Sequence, residues 1–190
     1  EMCIRDRVMK RTLDVGRKYG RWAKTFPMQC KRTDRIVGEL LDYLIEHQGK
    51  DGSFGNPPRN LFAPLALLAS GKPKHMKAVL KNVRWHAKTT SRKDSSSLIN
   101  WRYMAAAIVM SEYYLATRKK FVMEELQQVY DFLVSTQYTD MSQINPKARK
   151  SHPDAVPRNE TRAHGGWGHN PGFEGYGPIA MITGQGALAF

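Results

Sequence analysis

Gln48-Gly49-Lys50-Asp51-Gly52-Ser53-Phe54-Gly55 ends an apolar, helix-patterned segment in a Gly-aromatic-Gly loop, and the same pattern returns at His164-Gly165-Gly166-Trp167-Gly168. The segments before the two loops also align. Leu41-Asp42-Tyr43-Leu44-Ile45-Glu46-His47-Gln48 matches Tyr130-Asp131-Phe132-Leu133-Val134-Ser135-Thr136-Gln137, and Phe62-Ala63-Pro64-Leu65 matches Tyr176-Gly177-Pro178-Ile179. Each copy reads helix, Gln, Gly-aromatic-Gly, aromatic-small-Pro, helix. The second copy carries an insertion after Gln137. A degenerate copy lies between them, with Trp101-Arg102-Tyr103 opening its second helix. Repeated helical hairpins bury their apolar faces on one another. The loop residues have a mechanical role in this reading. Gln48 and Gln137 bond the last free carbonyls of their helices. Phe54 and Trp167 cover helix junctions, with glycines allowing the tight turn. Asp51 faces the positive end of the next helix.

Working outward, apolar spacing near 3.6 predicts helices throughout. One runs from Thr33-Asp34 to Gln48, with Ile36, Leu40, Leu41, Leu44 and Ile45 on its buried face. Pro57 and Pro58 punctuate a loop, and a short helix follows over about 61–70. Pro73 starts the next, which runs to about Ala87 with Met76, Val79, Leu80 and Val83 buried. Long helices over 98–117 and 121–137 follow, the second burying Val122, Leu126, Val129 and Leu133. Residues 138–163 form a long polar loop, and a last helix opens near Pro178. No alternating strand of useful length occurs, so the class is all-α.

The 190 residues carry 30 Lys+Arg against 17 Asp+Glu, a formal charge of +13. The excess is local: residues 72–93 hold 8 Lys/Arg and no acid. Such a face suits phosphates or anionic headgroups, or is a solvated helix face. Base-reading motifs are absent, so no specific nucleic acid is expected. No apolar run approaches the length of a transmembrane helix. Two Cys exclude a disulfide scaffold. Glu1-Met2-Cys3-Ile4-Arg5-Asp6-Arg7 resembles a translated sequencing-adapter read of the kind found in metagenomic assemblies. The expected organisation is therefore an artefactual scar at 1–7, a basic helical segment at 8–32, and a helical-repeat domain over 33–190 that is cut at its C-terminal side. Cellular location is left open, an extracytoplasmic site among the options.

The Gln48–Gly55 stretch resembles the Gln-Trp repeat of the terpenoid cyclase and protein prenyltransferase toroids. The stretch from His164 to Pro178 resembles the signature of an uncharacterised bacterial family of such proteins. Over residues 33–190 the resemblance implies a partial α/α toroid of about three helical-hairpin repeats, with inner helices around a central cavity and the rest of the ring missing. The Asp-x-Asp-Asp acid motif of squalene-type cyclases is absent, as is the Asp, Cys and His zinc set of the prenyltransferases.

Residues 165–186 hold 8 of the 15 glycines, beside His164, His169, Glu174 and Tyr176. In the toroid picture this stretch lines the cavity mouth, and Asn100, Arg102 and Tyr103 take the equivalent place in the middle repeat. The expected catalytic set is His169, Tyr176, His164 and Glu174; Asn100, Arg102, Tyr103 and Trp167 bind substrate. Arg and Asn would neutralise a carboxylate while His or Tyr moves a proton. Toroid-fold polysaccharide lyases use residues of these types, so the first reading is an enzyme acting on an anionic polysaccharide. An isoprenoid-cyclase-like enzyme and a non-catalytic interaction module are the alternatives. The expected partner is a small molecule or glycan, and no cofactor is expected. A zinc site from His152, Asp154, His164 and His169 can be drawn but lacks a recognised ligand pattern. Ser95-Ser96-Ser97 is not a nucleophile elbow.

Overall fold

A computed structural model describes residues 31–90, 98–143, 150, 164–170 and 178–190. It contains α1 (Lys31–Glu46), α2 (Pro57–Ala69), α3 (Pro73–Thr89), α4 (Ile99–Thr117), α5 (Met123–Ser135) and α6 (Ala180–Ala189), with short 3-10 turns at Lys120–Val122 and Met141–Gln143. The described residues form helices and loops and no strand. The chain divides into two compact units, Glu1–Tyr43 and Leu44–Phe190.

In its first-unit part, up to Tyr43, α1 differs from the sequence expectation. Its apolar residues do not form a buried stripe: Leu41 is buried, but Ile36 is 43% and Leu40 58% exposed.

The second unit is built around α4, which packs against α2, α3, α5 and α6. A helix with neighbours on several sides must be apolar nearly all round. Here Tyr103, Met104, Ala105, Ala106, Ala107, Val109, Met110 and Tyr113 are all buried. The Ala105–Ala107 centre keeps α4 slim enough for close neighbours. Both ends are set by left-handed backbone at non-glycine residues, Leu98 (φ 59°) and Arg118 (φ 57°). The Arg118 N–H closes the last turn on the Tyr114 carbonyl.

Pro57 and Pro58 do not break the chain into a loop; they are the first residues of α2. Asn56 is the cap, its side chain accepting from the Arg59 N–H at 3.1 Å. Two prolines fit there because the first-turn N–H groups have no helical partner. Pro64 then lies inside α2. It has no N–H to give the Asn60 carbonyl four residues back. His86 of α3 supplies that bond instead: its Nε2 lies 3.1 Å from the Asn60 oxygen, which can only accept. The aligned Pro178 sits differently, ahead of α6 and followed by extended Ile179. At Pro178 and Ile179 the third aligned segment therefore departs from the helical Pro64 and Leu65.

Val79, Val83, Val122, Val129 and Leu133 are buried as expected. Met76 and Leu80 are only half-buried, because the buried face of α3 also holds His75, Asn82 and His86; Leu126 of α5 is half-buried too.

Candidate functional site

The two Gln-Gly loops share a bond. Gln48 Nε2 donates to the Gly52 carbonyl at 3.0 Å, and Gln137 Nε2 donates to that of Gly165 at 2.9 Å. These are loop carbonyls, not the helix-end carbonyls expected from sequence. Gln48 also donates to the Ala78 carbonyl of α3, which ties one hairpin to the next helix. Asp51 does not face a helix start; it accepts from Ser53 N–H inside its own turn. Gly52 has φ +101° and lies so close to α3 that a Cβ would collide with the Lys81 carbonyl. Asn60 then organises the first loop. Its Oδ1 accepts from Phe54 N–H at 2.8 Å and from Asn82 Nδ2 at 3.0 Å, while its Nδ2 donates to the Gly55 carbonyl at 2.8 Å.

In the second loop Trp167 takes the place of Phe54. Its indole N–H donates to the Leu133 carbonyl at 2.8 Å, and its ring stacks near Phe190. Gly186 of α6 lies against that ring, where a Cβ would sit 2.6 Å from an indole carbon. Trp167 is thus a buried strut between α5 and α6.

The described part of the glycine-rich stretch reaches the start of α4. Ile99 N–H donates to Asn170 Oδ1 at 3.0 Å, and Asn100 N–H donates to the His169 carbonyl at 3.1 Å. Asn100 Nδ2 donates to the Gly168 carbonyl at 2.9 Å. Residues 168–170 thus cap this helix start. Trp101 Nε1–H donates to His169 Nδ1 at 2.8 Å, and the two rings stack. Accepting at Nδ1 makes the neutral His169 an N–H donor at Nε2 and occupies its lone pair.

The other expected site residues scatter. His164 is exposed on the turn before Gly166. Tyr103 is buried, its ring 3.9 Å from that of Phe132. Glu174 and Tyr176 lie outside the described residues, as do His152, Asp154 and Ser95–Ser97. Among the described residues no cluster of three or more His, Cys, Asp or Glu could hold a metal ion.

Arg102, one turn into α4, opens onto a cavity of about 90 Å³ lined by Gly55, Pro57, Asn60, Trp85, His86 and Ala105. Its guanidinium donates to the Thr89 carbonyl at 2.9 Å, which ties it to the end of α3. Burial, with a smaller contribution from the Arg102 charge, pulls the His86 imidazole down to about 4, against the opposing bond to Asn60. At neutral pH the cavity wall therefore carries one cation, a neutral imidazole, an amide and an indole. Sequence reading found Arg102 here and missed His86, Asn60 and Trp85. The available signal was the spacing of His75, Asn82 and His86, which puts all three on the Val79 face of α3.

The family described as a domain of unknown function (DUF6288) matches residues 33–188. The chain belongs to this family. The match spans the described helices apart from Lys31 and Arg32 of α1 and Ala189 of α6, so the residues of the Arg102 cavity and of the 164–170 cap lie within it. No curated protein matches the chain significantly, and neither does any solved structure. No described helix is long and apolar enough to cross a membrane.

Proposed function

We propose that this domain is a toroid-type helical scaffold that binds an anionic, sugar-like ligand at the Arg102 cavity. The toroid reading is supported by the Gln-to-Gly carbonyl bond that recurs in both copies. The ligand reading is carried by one observation: Arg102 shares a cavity wall with Trp85, His86 and Asn60. A guanidinium receives a carboxylate, an indole face packs a sugar ring, and the imidazole and amide offer hydrogen bonds. The cavity of about 90 Å³ is far below the several hundred that enclose a whole drug-sized ligand. It takes one functional group of a larger molecule, which favours a sugar carboxylate over an isoprenoid chain.

The described geometry favours binding over proton abstraction. His169 uses its Nδ1 lone pair on Trp101, and His86 is too weak a base near neutral pH to lead that step. Of the candidate catalytic set, Tyr176, His164 and Glu174 remain for a lyase reaction. Titration calorimetry of the whole chain with galacturonate and with galactose tests the binding reading. Galacturonate should bind and galactose should bind at least about tenfold more weakly. Arg102→Gln should remove that preference without unfolding the protein. Equal binding of the two sugars, or an unaffected variant, would overturn the proposal.

A further inference from the structure

The outer face of α3 carries Lys74, Lys77, Lys81, Arg84 and Lys88, all exposed. Their spacing of three or four residues places them within an arc of about 80° along roughly 21 Å of helix, by the ordinary helical rotation and rise. Acids are scarce beside them in the sequence. Helices α2 and α3 contain no Asp or Glu, and between Gly52 and Ser111 the sequence has one acid, Asp94, against ten Lys/Arg. Four successive pairs along the row, 74/77, 77/81, 81/84 and 84/88, are like-charged neighbours, each destabilising to the isolated helix. The opposite side of the helix is buried with His75, Asn82 and His86.

We propose that this row is a docking track for a linear anionic polysaccharide. It stands whether or not the Arg102 cavity takes a uronate. Three observations choose the partner. First, α3 exposes no large apolar side chain, whereas helices that lie in a membrane surface bury an apolar face in it. Second, single-stranded nucleic acid is held on a series of aromatic faces. On α3 itself the one Trp, Tyr or Phe is Trp85, which is half-buried and lines the cavity. Third, neighbouring cations rise about 4.5–6 Å along the axis. That suits a chain with one charge on each ring-sized unit. Because α3 also supplies Trp85 and His86 to the cavity, a polymer on the track runs past the cavity mouth.

The test is fluorescence anisotropy of the full chain with labelled oligogalacturonate. Neutral dextran, a random duplex DNA and phosphatidylserine vesicles are compared at the same ionic strength. Oligogalacturonate should bind most tightly, with affinity falling steeply as salt rises. The variant Lys77→Gln, Lys81→Gln, Arg84→Gln, Lys88→Gln should lose about a hundredfold in affinity, at around tenfold or less per cation near an anionic surface. It should keep monomeric galacturonate binding at Arg102, which separates the track from the cavity. The milder pair Lys77→Gln, Arg84→Gln should lose about tenfold and serves if the fourfold variant melts early. Tighter binding of DNA or vesicles than of oligogalacturonate would overturn the proposal. So would folded variants that bind within about threefold of the parent chain.

Discussion

His86 shows what one buried polar residue does in this fold. Its Nε2–H fills the place of the missing Pro64 N–H on the Asn60 carbonyl, and the same Asn60 holds the first Gly-aromatic-Gly loop. Replacing His86 with Phe leaves that carbonyl buried without a donor, at a cost of about 1–3 kcal/mol. The replacement also removes a titration. The folded His86 lies at about 4 against 6.5 when free, so above pH 6.5 neither state binds a proton there. As pH falls from 6.5 to 4, the unfolded chain takes up the proton and the folded chain does not. Stability drops over that window by about 3 kcal/mol and levels off below it. Urea unfolding midpoints between pH 7 and pH 4 should show that decline in the parent chain and a flatter profile in His86→Phe. Equal slopes for the two would mean that His86 does not titrate as described. Little of this was legible in the sequence. Asn60, Asn82 and His86 sit on faces whose apolar members announce a core, and only packing shows whether a polar residue among them turns inward. Arg102 was legible because it follows a helix-opening Trp in a recognisable repeat. The capping role of 168–170 was not, since Ile99 and Asn170 are 71 residues apart and no local pattern links them.

At the scale of the element, periodicity places the helices, and the expected starts at Pro73 and Leu98 fall within a residue of those observed, but the start of α2 does not. α2 begins four residues earlier than apolar spacing suggests, because Asn56-Pro57-Pro58 is a start signal that reads equally well as a break. Pro64 is the second surprise, since a proline inside a helix usually ends it. Here the helix continues because a neighbouring helix satisfies the orphaned carbonyl. That account predicts a coupling between α2 and α3. Pro64→Ala restores an N–H to the Asn60 carbonyl and makes the His86 bond redundant. In the Pro64→Ala background, His86→Phe should therefore cost less than in the parent chain, by about 0.5–2 kcal/mol in a double-mutant cycle. Additive effects would show that the two residues act independently, and that the proline is tolerated for another reason.

For the whole molecule, two opposing forces act on its surface. The formal charge of +13 repels other copies, while α5, α6 and the chain beyond them leave apolar groups in water. Tyr130, Val134, Met181, Leu188 and Phe190 are all exposed, Leu188 to 76%. Tyr130, Leu126, Leu133 and Phe190 also line a recess of about 210 Å³ with Ala107. The repulsion is long-ranged and screened by salt, with a Debye length near 30 Å at 0.01 M and about 3 Å at 1 M. The apolar attraction is short-ranged and is not weakened by salt. Sedimentation velocity should therefore find monomers at about 0.01 M salt and growing self-association toward about 1 M. Tyr130→Lys with Leu188→Lys should hold the chain monomeric across that range, since it removes exposed apolar surface and adds charge. The α3 fourfold Gln variant should do the reverse, associating at lower salt than the parent because it lowers the repulsion and leaves the patch intact. If that variant associated no earlier, the net charge would not be what keeps the copies apart.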